Sequence, residues 1–346
     1  MRKWALMASV FCLGSATAAL AGVNEPFDYR LTLSFDRLTN FTDVVARGNA
    51  SVAHPLGSSA NPAADDFLQD PPFDFHALVT ATVNYVSTSA STEVVGKSST
   101  ALIRIPHGGT LAFTGIRTDM TDGSSENGNQ YNLYSNEGVF RYSLKLTPKW
   151  AVGAELHIVD SSLDINSGSG FGVQQQSTDG LGLLPAIGTM YEVNKQLMIG
   201  AMAGIGTTHA KTNLTIFDPR VAPVPFTAHV EDNVFSMDLR AGVGYHPVEE
   251  LGLFLDGQYR HLNSDLGSAD VGRAFGGVEW YPQKWMVLRV GGSIDTWGEA
   301  TGSTGIGIYA FKPLLIELGY AYNNFPEVRD EFGVAHVFSA SLVLLF

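Results

Sequence analysis

Arginines and carboxylates recur at every second residue inside otherwise apolar stretches, and that spacing is the chemistry this sequence offers. In 251–261, Leu251, Leu253, Leu255 and Tyr259 share one face of an extended chain while Asp256, Gln258 and Arg260 share the other. Phe235, Met237, Leu239, Val243 and Tyr245 oppose Ser236, Asp238 and Arg240 in the same way. Phe140, Tyr142, Leu144 and Leu146 oppose Arg141, Ser143 and Lys145, and Leu314, Ile316, Leu318, Tyr320 and Tyr322 oppose Glu317. The charged faces hold Arg141, Lys145, Arg240, Arg260, Arg273 and Arg289 against Glu155, Asp238, Asp256, Glu279, Asp295 and Glu317. A set balanced in sign reads first as ion pairing. A guanidinium fork also suits a substrate carboxylate, and Arg240, Arg273 and Arg289, from the half with the cleanest pattern, are the candidates for that role. Hydrolysis is disfavoured. His336 and Ser339 point to opposite faces, and His157 and Ser161 share a face but stand too far apart for direct contact. No HExxH motif occurs, so neither an enzyme nor a cofactor is expected.

These faces need strands to carry them. Alternating segments of about ten or more residues fall near 73–87, 97–106, 108–119, 131–147, 150–165, 177–193, 196–212, 229–246, 251–264, 269–281, 285–298, 302–311, 314–325 and 333–346. That pattern predicts an all-β chain of about 14 antiparallel strands. The segment 29–38 also alternates and would add to the count if it spanned. One set of connections is tight, with Pro at 106, 148, 247, 282 and 313. The other set is mostly longer, at 120–130, 166–176, 213–228 and 326–332. Trp150, Tyr191, Tyr245, Trp280, Tyr281 and Trp285 gather beside the tight turns, where an interfacial girdle belongs. Loop 213–228 is unusually apolar: Leu214, Ile216, Phe217 and Phe226 stand among prolines, and Phe171 and Val173 punctuate 166–176. Gly115 is a possible site for a kink in its strand.

The two ends name the solvent. Residues 1–21 have Arg2 and Lys3, then an apolar run, then Ala19-Leu20-Ala21, the form of a secretory signal. Cys12, the only cysteine, falls inside it, which excludes disulfides from the remainder. The last strand, Val337 to Phe346, carries Phe338, Leu342, Leu344 and Phe346 on one face and resembles the terminal signal of outer-membrane β-barrels. It implies the barrel assembly machinery as a partner. A charge on the lipid face costs roughly 2–4 kcal/mol near the midplane, so the charged face must be the lumen. Long–short alternation of the connections places both termini in the periplasm. The net charge of −13 argues against nucleic acid. The expected surroundings are outer-membrane lipid and lipopolysaccharide.

Residues 22–72 do not read as barrel. Val44 to Ala53 is a small-residue run containing Arg47-Gly48, and Asn61-Pro62-Ala63 follows. These motifs resemble the long-chain fatty-acid transporter (FadL) family of outer-membrane proteins. The family's strand–Pro turn–strand pattern is matched by Phe226–His229, Gly242–Pro247 and Leu251–Arg260. The resemblance implies that 22–72 forms a periplasmic plug within a barrel at 73–346, with Asn61, Pro62 and Ala63 as its motif. It also implies passive uptake of a hydrophobic small molecule, such as a fatty acid or aromatic hydrocarbon. That molecule would be caught by apolar loops and would leave sideways through the wall. The alternatives are a general diffusion porin and a barrel scaffold for secretion or surface attachment.

Overall fold

The computed structural model describes residues 42–54, 61–67, 77–105, 108–124, 128–169, 172–217, 224–264, 267–296, 298–311, 313–324 and 329–346. The segments 1–21 and 29–38 lie outside them. Fourteen antiparallel strands close into one barrel: β1 (Ala77–Thr88), β2 (Glu93–Ile105), β3 (Gly109–Ser124), β4 (Gln130–Thr147), β5 (Trp150–Ser169), β6 (Gly172–Asn194), β7 (Leu197–Phe217), β8 (Phe226–Val248), β9 (Leu251–Ser264), β10 (Gly267–Gln283), β11 (Met286–Asp295), β12 (Ala300–Phe311), β13 (Leu314–Tyr322) and β14 (Ala335–Leu345). Each strand pairs with its neighbours in sequence, and β1 pairs with β14 from Leu78↔Leu345 to Thr88↔Ala335. Closure removes every open edge, the condition for a sheet to survive in lipid.

The alternation sorts as the sequence predicts. Leu255, Leu318, Phe338 and Leu342 are exposed on the outer wall, while Arg260, Arg273, Arg289, Glu279 and Glu317 are buried inside. Trp150, Tyr191, Tyr245, Trp280 and Trp285 are exposed at the turn end. Tyr281 departs from the expected girdle. Two residues after the inward Glu279, it takes the inward alternation, and its hydroxyl donates to Glu279 Oε2 at 3.3 Å. Gly115 marks no bulge: it pairs in register with Ser99 and with Gly138, and the irregularity in β3 lies between Met120 and Gly123.

The larger correction concerns loops. Most of 166–176 is strand, and so are both ends of 213–228, at 213–217 and 226–228. β5 to β8 run 20, 23, 21 and 23 residues, against 9 in β13. A tilted strand needs only about 9–11 residues to span a bilayer, so these hairpins continue well past that length. In the extension the two faces exchange chemistry. Outward positions are polar and paired across strands: His209 Nδ1 with Asn233 Oδ1 at 3.0 Å, Lys211 with Glu231 at 3.4 Å, and His229 Nδ1 with Asn213 Oδ1 at 2.8 Å.

Inside the barrel lie a short helix α1 (Thr42–Ala46) and a 3-10 helix (Pro62–Phe67). Helix α1 ends where Gly48 (φ 66°) and Asn49 (φ 69°) turn left-handed, and Asn49 N–H closes onto Val44 O at 2.9 Å. The wall makes room for this segment with inward-facing glycines. A methyl group at Gly291 would overlap the Arg47 carbonyl, at Gly153 the Pro62 carbonyl, at Gly188 the Asn61 side chain, and at Gly200 the Val52 carbonyl. The segment therefore sits backbone to backbone against the wall.

Candidate functional site

The lower lumen is organised around Glu279 of β10. Its Oε1 accepts from Arg47 Nη1 at 2.9 Å and from Arg289 Nε at 2.6 Å, and its Oε2 pairs with His54 Nε2 at 3.0 Å. Arg47 also donates to Asp43 Oδ2 at 3.1 Å and to Ala50 O at 3.2 Å, and Arg289 Nη1 reaches Glu317 Oε1 at 2.7 Å. One strand carboxylate, Glu279, thus holds the inner segment through Arg47 and His54 and is itself braced by Arg289 and Glu317, all buried. Such a cluster is stable only when every charge is paired. Burial, reinforced by Arg47, pushes the His54 imidazole down to about 4, so it is neutral near pH 7.

A second clamp stands beside the first. Asp256 Oδ2 accepts the backbone N–H groups of Ser51 at 2.6 Å and Val52 at 2.9 Å, and Arg240 Nη2 at 3.1 Å. Arg240 also donates to the Asn49 carbonyl and lies over the Phe275 ring at 4.5 Å. A third clamp uses Arg141, which joins Glu155 at 2.9 Å and reaches Asp65 of the 3-10 helix at 3.5 Å. Burial outweighs Arg141 and raises the Asp65 carboxyl to about 6. On the far side, the Thr42 hydroxyl meets Ser339 at 2.7 Å and Ser341 at 2.6 Å.

The Asn-Pro-Ala motif has a clear local logic. Asn61 Oδ1 accepts the Ala63 N–H at 3.0 Å and caps the 3-10 helix, with Pro62 at the first helical position. Asn61 Nδ2 donates to Val52 O at 3.1 Å and to Thr189 O of β6 at 2.9 Å, tying two parts of the inner segment to the wall. Ala63 packs with Ala64, Phe67, Ala151, Met190 and Met198.

Two of the candidate arginines are engaged by protein groups. Arg289, 3 % exposed, is committed to two protein carboxylates, and Arg240 to the inner segment and Asp256. Their long side chains reach groups that sequence spacing along one strand did not reveal. Arg273 is buried and donates to Gln258 Oε1 at 3.4 Å. Backbone around Arg240 and Arg273 also borders a groove of 610 Å³. Small residues Ala241, Gly257, Gly272 and Ala274 floor it, with Leu239, Tyr259 and Ile294 around them. These residues take the outward alternation, so the groove faces outward and the charged heads lie across the wall.

Of the apolar candidates, Leu214 and Ile216 lie on β7 and Phe226 on β8, not on a free loop. They share the lumen-side alternation, with Ile216 opposite Phe226 and Leu214 opposite Ala228. Phe217 lies on the opposite face, next to Val173 of β6. Phe171 is outside the described residues.

Sequence reasoning missed a further cluster. Val94, Met120, Tyr131, Leu133 and Leu163 from β2–β5 join Val86, Ala321, Ala335, Val337 and Phe332, and the cluster extends to Val45 of α1. The signal was present in the alternating inward residues of β4 and β5, Tyr131, Leu133, Leu163 and Ile165, which resemble lipid-facing ones when read without depth.

No protein-family model matches the sequence, and no curated protein does. Solved structures do. The chain is similar to the CymD monoaromatic hydrocarbon channel (13% identity, TM-score 0.66, covering 90% of this chain and 98% of that one). It is similar to the toluene transporter TbuX of Ralstonia pickettii (14%, 0.64, 90% and 100%) and to a FadL homologue of Pseudomonas aeruginosa (12%, 0.65, 89% and 98%). With its closed fourteen-stranded barrel and occupied lumen, this chain has the fold of the FadL-type channels.

Proposed function

We propose that this protein is an outer-membrane channel through which small hydrophobic compounds, fatty acids or aromatic hydrocarbons, enter by passive diffusion. The observation that carries the reading is the apolar cluster of the lumen, which reaches from the loop-end helix at Phe332 to Val45 of the inner segment. Above it, Leu214, Ile216 and Phe226 extend apolar surface along the lumen side of the β7–β8 hairpin. Such surface attracts apolar solutes out of water. In this reading residues 22–72 are the plug, both termini are periplasmic, and the polar outer faces of β5–β8 stand among lipopolysaccharide. Phe346 ends the strand offered to the assembly machinery. Arg273 is the cation proposed to meet a carboxylate at the lower limit of the apolar path.

The test is uptake. A strain lacking the gene, and liposomes carrying the purified barrel, should differ from their controls in entry of labelled fatty acids or toluene. Liposomes that pass sugars freely would favour a general diffusion porin. Unchanged entry of every hydrophobic probe, with sugars excluded, would favour a scaffold for secretion or surface attachment.

A further inference from the structure

We propose that Phe332 fills a benzene-sized subsite at the loop end of the lumen and is displaced from it by an aromatic ligand. The inference rests on the hydrophobic-channel reading and assigns its entry step. Phe332 ends helix α2 (Arg329–Phe332), a single turn between β13 and β14. Its ring is 3 % exposed and meets Tyr131 edge to face, with centroids 5.0 Å apart. Tyr131 is itself held, since its hydroxyl accepts from Asn129 Nδ2 at 3.2 Å. Val94, Met120, Leu133 and Leu163 belong to the same cluster, so the ring is part of an apolar packing drawn from four further positions on β2 to β5.

A one-turn helix has no stability of its own. Among the described residues, α2 is held by the buried ring and by ties at its edge, including Ser89 N–H to Val334 O at 3.1 Å. Ala90 N–H donates to Phe332 O at 3.2 Å, Val334 N–H to Ser89 Oγ at 2.8 Å, and Arg329 pairs with Glu299 at 3.0 Å in a half-exposed ion pair. Gly333, at φ 70°, follows as a left-handed cap and gives the turn a pivot. A flat apolar ring entering the slot would recover the burial that Phe332 gives up and the edge-to-face contact with Tyr131. Exchange is then close to neutral, as a gate requires. A linear chain recovers the burial but not the ring contact, so the subsite prefers a monocyclic aromatic. The cluster continues to Val45 of α1, which places the arriving ligand in contact with the packing of the inner segment.

Phe332→Ala opens the slot, and an apolar cavity of that kind stays dry and accepts a ring. Toluene binding to the purified barrel in detergent, read by calorimetry or ligand-observed NMR, should tighten at least tenfold over the wild type. Octane should gain less. Toluene entry into liposomes should rise severalfold, and Phe332→Trp should lower it. Arg329→Gln, which removes only a tether, should raise entry about twofold, and it keeps the test decisive if Phe332→Ala fails to fold. Toluene binding unchanged in a folded Phe332→Ala barrel, or entry unchanged in Arg329→Gln, overturns the proposal. If wild-type liposomes admit no hydrophobic probe while Phe332→Ala still gains toluene binding, the channel reading falls and the subsite stands.

Discussion

The lumen has two halves that solve burial in opposite ways. Near the turn end, Glu279, Arg289, Glu317 and Asp256 hold an inner segment through directional bonds, each charge depending on its partner. Toward the loop end, Tyr131, Leu133, Leu163 and Phe332 fill the space with side chains whose contacts are apolar and exchangeable. Removing one partner from the first half strands a buried charge, whereas replacing one group in the second leaves others to repack. The lower half is fixed by specific partners, and the upper half is filled by contacts that many apolar groups could make.

The largest effect that would break this contrast is expected from Glu279→Ala. It leaves Arg47 and Arg289 facing each other without their shared acceptor, and losing one partner of a buried pair costs about 3–5 kcal/mol. Thermal melting of the detergent-solubilised barrel and labelling of a cysteine placed at Val52 should both show a loosened inner segment. Gly291→Val should rank next. Its side chain would occupy the space of the Arg47 carbonyl, raising labelling at position 52 more than tenfold while the barrel keeps its heat-modifiable migration. A smaller change, on transport alone, is expected from Leu214→Asp. A charge on the apolar lumen side of the extended hairpin should slow entry of a hydrophobic probe severalfold without altering the melting temperature.

The smallest effect is with pH. His54 falls from an unfolded value near 6.5 to about 4, so its contribution to seating is complete above pH 6.5 and is lost as pH drops toward 4. Asp65 rises from 3.8 to about 6, so its contribution is complete below pH 3.8 and is lost as pH climbs to 6. The two oppose each other between pH 4 and 6. In His54→Gln the opposing His54 contribution is removed while that of Asp65 stays, and labelling at position 52 should increase as pH is raised through that window. A wild-type profile steeper than that of the variant would contradict the assignment.

Most of the barrel was legible in the sequence because one rule, apolar to lipid and polar to lumen, holds along β9, β13 and β14 with period two. The rule fails where the solvent changes. Beyond Ile205, Thr207, His209, Lys211 and Asn213 face out while Leu214 and Ile216 face in, so the alternation inverts its sign, and from residue 213 onward the sequence reads as loop. The paired charges of the lumen were legible as a balanced list. Their partners were not, because Arg47 and Glu279 meet through the closure of the barrel rather than through proximity in sequence. The wall glycines at 153, 188, 200 and 291 carry no pattern until the register assigns each to the inner face at the height of the inner segment.

The inner segment's bonds have a kinetic consequence. Arg47 meets Glu279 across 232 residues, Ser51 meets Asp256 across 205, and Thr42 meets Ser339 across 297. Each of those partners lies on one of the last six strands, β9 to β14. Contacts of such high order form only after the intervening chain has been organised. The part nearest the start of the chain is therefore the last to settle, and until β10, β11 and β14 are in place Arg47 has no acceptor on the wall. During assembly the lumen passes through a stage without its inner segment, and seating the segment is the step that ends it.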